Sequence, residues 1–400
     1  MEQEKLLWPS EELDFWTIRD ENTTVYLCWS KNAYEDYRRL SYDYFECGYK
    51  TFCDIARSGH DNTKTDAWFL TGIYLVRQSI ELGIKALICR SSKKNTDIQD
   101  AFKTYCHELY GLFDKYSSIS EKEYLSANEK RWLVKYLESL ESIDEKSDMF
   151  RFPFDDQFLS QYQNMFLDVI AVANNLLQAF ALVKKCIECG YVDVEDEFRD
   201  SLEPEFFVFA NHGIGNCYLW QSINDNGFYA KVKGYADVID YIYCCEEISR
   251  ECKLYPLVFM FRNLIELCLK RIFYSRINHG VSEHDFNSKK KSHQIKKDLW
   301  KCVKPVILYY AEETSQPLEE LDIVESQLFF LDQLDKHGDS FRYPTTYSLE
   351  YKIDNKKFDM SNIYIYLKSL VNFFEGCDAW LDDIADYEIE EYTQNWYENN

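Results

Sequence analysis

The chain repeats itself, and that repetition constrains its folding more than any other feature. Arg77-x-x-Ile80-Glu81-Leu82-x-Ile84-Lys85 returns as Arg262-x-x-Ile265-Glu266-Leu267-x-Leu269-Lys270. His107-Glu108-Leu109 returns as His293-Gln294-Ile295. Leu140-x-x-Ile143-Asp144 and Asp148-Met149-Phe150-Arg151-Phe152-Pro153 return as Leu331-x-x-Leu334-Asp335 and Asp339-Ser340-Phe341-Arg342-Tyr343-Pro344. Tyr26-Leu27 answers Tyr218-Leu219. The offset is 192 at Tyr26/Tyr218, 185 at Arg77/Arg262, 186 at His107/His293 and 191 at Arg151/Arg342. The copies therefore differ by loop-sized insertions, where duplicated modules drift without harm to a core. The expected domains are a first repeat at 1–192, an acidic linker at 193–205, a second repeat at 206–385 and an acidic tail at 386–400.

A length of 400 residues agrees with two modules, each large enough to bury its own core. Gly (13) and Pro (7) are scarce, which fits long helices. The 31 Tyr and 27 Phe read first as core packing with half-wet hydroxyls, and second as a stacking surface for bases. The N-terminus has no basic leader followed by an apolar stretch, and no run of about 18 apolar residues follows. The expectation is a cytoplasmic chain without a membrane relation, and the apolar stretch Met165 to Leu182 reads as a buried helix. The 14 Cys then read as reduced thiols. Cys186-Ile187-Glu188-Cys189 stands alone, without the second pair that a zinc site needs. No metal and no cofactor are expected.

Net charge is −24, which repels phosphate backbones on average. Between Arg262 and Lys301, however, ten basic residues face four acidic ones. Lys289, Lys290, Lys291, Lys296 and Lys297 are the candidate nucleic-acid or phosphate-binding residues, with a solvated loop as the plainer reading.

Each copy reads as a short β-hairpin followed by helices. The hairpins are Asp14–Ile18 with Thr23–Trp29, and Phe206–Phe209 with Cys217–Trp220, around turn-forming centres. Helices follow at Ala33–Ala56 and Phe228–Ser249, then through the Arg-x-x-Ile-Glu-Leu motif. Others begin near His107 or His293, and span Glu129–Glu141 or Pro317–Leu334. The last runs through Asn164–Val183 or Met360–Trp380. Pro153 and Pro344 separate the last two, since proline cannot continue a helix interior.

Arg77, Glu81 and Lys85 are spaced i, i+4, i+8 and share one helix face, as do Arg262, Glu266 and Lys270. A charged stripe among apolar neighbours must be paired if it is buried. The first reading is a structural lock, in which Glu266 pairs with Arg342 and Glu81 with Arg151, with Asp148 and Asp339 at the turns. The second is a composite site in which Arg262, His293 and Arg342, or Arg77, His107 and Arg151, hold a phosphate and the histidine acts as acid or base.

The Arg-x-x-Ile-Glu-Leu-x-Leu-Lys helix, the following His and the Asp-x-Phe-Arg-Tyr-Pro turn together resemble HEPN-like proteins of bacteria. The resemblance implies a mainly α fold of two tandem helical bundles, each preceded by a short β-hairpin, that mimic the family's dimer through a pseudo-twofold. It also implies a place in anti-phage defence or toxin–antitoxin systems. Active members are metal-independent ribonucleases with an Arg followed by four to six residues and a His. Arg57…His60 and Arg276…His279 enclose two residues and Arg276…His284 encloses seven, so no catalytic residue carries over. The expected function is a binding or regulatory component acting through a protein partner, with RNA or a nucleotide held at the basic loop. Further oligomerisation is also expected. The alternative is a divergent metal-independent ribonuclease.

Overall fold

The computed structural model describes all residues except 1–5, 60, 163, 192–196, 220–226, 277–281, 283, 285–288, 290–291, 317–318 and 399–400. The protein is mainly α. In the first copy, α1 (Ala33–Arg57) and α2 (Phe69–Ser91) are followed by α3 (Asn95–Tyr105), α4 (Leu109–Ile119), α5 (Ala127–Asp144), α6 (Asp156–Tyr162) and α7 (Val169–Ile187). In the second, α8 (Phe228–Cys244), α9 (Arg250–Ser275), α10 (Lys301–Glu313), α11 (Glu320–Leu334) and α12 (Met360–Glu398) are described. Two π-helical turns, Lys64–Trp68 and Ile295–Trp300, lead into α2 and α10.

Helix boundaries follow side-chain chemistry. Asn32 caps α1 by accepting from the Tyr34 N–H, and Ser126 with Glu129 forms a reciprocal capping box on α5. Asp168 caps α7 by accepting from the Ala171 N–H. Helix α3 is an addition that the expected elements lacked. The acidic segment from 386 is also not a separate tail: α12 continues through it to Glu398.

The chain forms two compact units. One comprises residues 1–24, 261–338 and 359–400, the other 25–260 and 339–358. The units interleave along the chain and so are a different partition from the successive segments 1–192 and 206–385. In the larger unit α2 is the central helix, buried from Phe69 through Ile88. The smaller unit has an aromatic core that includes Phe15, Phe330 and Tyr366, with Trp300 edge-on to Phe374.

The strands depart from the expected hairpins. Five short strands are described: β1 (Thr24–Leu27), β2 (Phe166–Leu167), β3 (Phe209–Ala210), β4 (Cys217–Tyr218) and β5 (Lys356–Asp359). β1 pairs with β5, and β2 lies between β3 and β4. The segment at 14–18 does not become a strand. The Asp14 carboxylate accepts from the Trp16 N–H, a local turn that competes with extended pairing. Residues 211–216 do form a turn, with the Asn216 N–H donating to the Gly213 carbonyl, but β3 and β4 splay to admit β2. Trp220 lies outside the described residues.

Each of these pairings crosses the repeat. β1 of the first copy meets the strand before the last helix of the second, and β4 of the second meets the strand before the last helix of the first. The same reciprocity recurs in side chains. The Tyr26 hydroxyl meets Asn355 at 3.1 Å, and the equivalent Tyr218 hydroxyl meets Asn164 at 3.2 Å. Tyr44 donates to the Phe341 carbonyl and Tyr235 to the Phe150 carbonyl. Tyr74 and Phe259, three residues before Arg77 and Arg262, stack on each other with ring centroids 5.0 Å apart.

Helix α7 is long and apolar enough to cross a membrane by composition, and 56% of that window is buried inside the fold. Its buried stripe, Val172, Leu176, Ala179 and Val183, faces the core as the sequence leads one to expect.

Candidate functional site

The motif helices α2 and α9 each carry a buried charge cluster around one glutamate. In α2 the Glu81 carboxylate accepts from Arg77 on the preceding turn and from Lys85 on the next, the latter at 2.8 Å. The His107 ring meets the same carboxylate through Nδ1 at 3.1 Å. Arg77 also donates to the His107 carbonyl at 2.7 Å, and its Nε lies 3.3 Å from Asp144 Oδ2 as an ion pair. In α9, Glu266 accepts from Arg262 and Lys270, both at 2.7 Å, and His293 Nδ1 lies 2.9 Å away. Arg262 likewise donates to the His293 carbonyl and approaches the Asp335 carbonyl at 3.5 Å. The i, i+4, i+8 spacing read from sequence is thus a pair of ion-pair ladders.

Burial makes these ladders energetically consequential. Arg77, Glu81, Arg262 and Glu266 are essentially without solvent exposure. Burial raises the cost of each charged carboxylate, but Lys85, His107 and Arg77 outweigh it and hold Glu81 well below the usual range. Lys270, His293 and Arg262 do the same for Glu266. Burial lowers Lys85, with Glu81 opposing. Only the histidines reach the rim, their side chains 24% and 35% exposed. Desolvation pushes His107 down to about 4, against the pull of Glu81, so the ring is neutral at pH 7.

The two clusters differ in a contact made by the Arg-aromatic-Pro turn. The Tyr343 hydroxyl, from the second copy, donates to Glu81 at 2.5 Å and lies 3.1 Å from His107 Nδ1. Lys85 Nζ sits 4.2 Å above the same ring. The equivalent residue of the first copy is Phe152, which has no hydroxyl to offer.

The expected lock therefore exists with other partners. In place of Glu81–Arg151 and Glu266–Arg342, each glutamate is neutralised by the arginine and lysine of its own helix, and the following histidine adds a hydrogen-bond contact. Arg342 is buried, donating at 3.1 Å to Gln78 and at 3.0 Å to Ser147 Oγ. Arg151 is buried with its guanidinium 4.7 Å from the Phe152 ring and 3.6 Å from Asp148. Asp148 and Asp339 are half-exposed, the latter 2.6 Å from Lys352, so neither belongs to the buried ladder. Their place is taken by Asp144 and Asp335, both buried. The signal for them was present, since both recur in the repeat. Ser147 and Gly338 are equivalent and both have positive φ, 60° and 71°. Glycine suits Gly338 because of that positive φ, and a Cβ there would meet the Arg262 guanidinium only at ordinary contact distance.

The basic residues divide. Lys290 and Lys291 lie outside the described residues. Lys289 meets Asp298 at 3.3 Å. Lys296 holds its Nζ 3.9 Å over the Phe329 ring, and Lys297 is exposed. Lys296 and Lys297 line a groove of about 640 Å³ beside α10 and α11, together with Lys301 and Lys304, which sequence reasoning did not single out.

Among the described residues no three His, Cys, Asp or Glu converge as metal ligands. Cys186 of the lone CxxC is buried, which pushes its thiol up to about 12, while Cys189 is exposed. Comparison with protein-family models, with curated proteins and with solved structures returned no match.

Proposed function

We propose that this chain is a tandem HEPN-like helical protein and a binding or regulatory component of a bacterial anti-phage defence or toxin–antitoxin type system. It acts in the cytoplasm through a protein or nucleic-acid partner. The observation that carries the binding reading over the ribonuclease reading is charge closure. A phosphodiester-cleaving site needs cations free to meet the substrate, as well as an acid or base. Here Arg77 and Arg262 are consumed by Glu81, Glu266 and the histidine carbonyls, and Arg342 by Gln78 and Ser147. The neutral His107 at the rim has the protonation of a base but no exposed arginine of the motif beside it.

The tandem, dimer-like arrangement is supported by the reciprocal contacts. Residues equivalent by sequence, Tyr74 and Phe259, can touch each other only near an axis relating the copies. Tyr44 and Tyr235 reach the same carbonyl in opposite copies, as a twofold requires.

Two measurements test the proposal. Purified chain incubated with single-stranded RNA, without metal, leaves the RNA intact. Metal-independent cleavage that His107→Ala or His293→Ala abolishes replaces this reading with the ribonuclease. Bacteria expressing the chain from its own operon context resist plating by at least some phages. Unchanged plating across a broad phage panel, or resistance that persists without the chain, rejects the defence role.

A further inference from the structure

The groove beside α10 carries an excess of positive charge in a chain of net charge −24. Lys296, Lys297, Lys301 and Lys304 line it against the carboxylates of Glu325 and Asp332. Lys304 is engaged by Glu325 and lies 3.6 Å from Asp322. Lys297 and Lys301 are exposed and one helical turn apart. Phe329 adds a ring that is 46% exposed beneath the Lys296 ammonium. The groove thus offers cations along an apolar floor.

The same chain carries a segment of the opposite character. The last part of α12 is anchored by Arg276 and Arg271, which lie 3.8 and 4.0 Å from Asp382. From Asp382 onward no described residue is buried. No Lys or Arg follows Lys368. Asp383, Asp386 and Glu390 share a face at i, i+3, i+7, next to Tyr387 and Ile389, which are 68% and 62% exposed. This end continues the packed turns of α12 and presents an acidic, tyrosine-bearing face that nothing described in the chain covers.

We propose that this groove is the docking site for the acidic end of α12 from a second copy of the chain. The carboxylates of Asp386 and Glu390 meet Lys297 and Lys301, and Tyr387 lies against Phe329. The mode is a helix laid into a groove, in which apolar contacts supply affinity and charge sets register and partner. Self-association against a net charge of −24 works because the mean repulsion is screened beyond about 10 Å at 0.1 M salt, while contact pairs survive.

The test is sedimentation of the full-length chain at about 0.1 M and about 1 M salt. Association is expected at the lower salt and loss of it at the higher. Lys297→Glu/Lys301→Glu and Asp386→Lys/Glu390→Lys each weaken association by about tenfold or more, because attraction becomes repulsion. An equimolar mixture of the two double variants regains it, since each then offers the other a complementary surface. Far-UV circular dichroism melts identical to the parent establish that all variants fold. A monomer at every salt, or association that neither double variant changes, overturns the proposal. So does a monomer whose groove binds an RNA oligonucleotide in a manner lost with Lys297→Glu/Lys301→Glu.

Discussion

Glu81 and Glu266 hold the interior charge of this protein in balance. Each sits between an arginine and a lysine of its own helix, so removing either carboxylate strands two buried cations. Glu266→Ala should lower the unfolding free energy by about 3 kcal/mol or more, the range for breaking a buried pair by deleting one partner. Chemical denaturation at neutral pH measures it, and a loss within error would mean that Arg262 and Lys270 find other partners or water. A second prediction concerns pH. His107 is held at about 4 in the folded chain, below its ordinary 6.5. Between those values the unfolded chain binds more protons, so stability is whole above about pH 6.5 and declines as pH falls toward 4. Glu81 and Glu266, held well below their ordinary 4.5, keep their contribution down to about that pH and lose it progressively below it, so the upper part of the window reports on the histidine. His107→Gln should therefore flatten the profile of unfolding free energy between pH 6.5 and 4. An unchanged slope would assign that decline to other groups.

The elements show what one-dimensional patterns do and do not carry. The paired motif helices, the break at Pro153 and Pro344 and the run of α1 were legible, because apolar periodicity and proline act locally. The ladder was half legible: spacing put Arg, Glu and Lys on one face, but it did not say that they would satisfy one another. That depended on burial of the whole of α2, which removes competing water. Thr24–Leu27 and Cys217–Tyr218 fall within segments expected as strands, but their partners were misread, because tertiary packing and not local alternation fixes which strand a short strand meets. β2 meets β3 and β4 across some forty to fifty residues, and β1 meets β5 across most of the chain. At the element scale the two last helices make a controlled comparison. Asp168 caps α7, and its equivalent Asp359 caps α12 through the Asn362 N–H. Asp359 also accepts from the Arg19 and Asp20 N–H groups and from the Thr23 hydroxyl. Asp168→Ala should cost about 1 kcal/mol, as cap deletions do, and Asp359→Ala about 2 kcal/mol or more, because several part-buried donors lose their acceptor together. Equal shifts in the denaturation midpoint would show that the N-terminal segment adds nothing to the cap.

For the whole molecule, the repeat copies exchange strands and side chains. The first copy lends β1 to β5 and Tyr44 to Phe341, and it takes Tyr343 from the second copy onto Glu81. A fragment of residues 1–192 therefore carries an unpaired β1, an unpaired β2 and an exposed Tyr74 face. Its own sequence contains equivalents of everything that the second copy supplied, because β2 stands where β5 does and Phe150 stands where Phe341 does. The fragment should thus associate with itself, β1 of one molecule pairing with β2 of the other, and Phe152 filling the Tyr343 position without its hydroxyl. Light scattering after size exclusion should report a dimer that is less stable than the intact chain. Phe152→Tyr in the fragment restores the hydroxyl to Glu81 and should recover about 1.5–3 kcal/mol per site, the worth of a hydrogen bond to a charged group. A folded, monomeric fragment would show that the copies are independent domains and that the reciprocal contacts are incidental to folding.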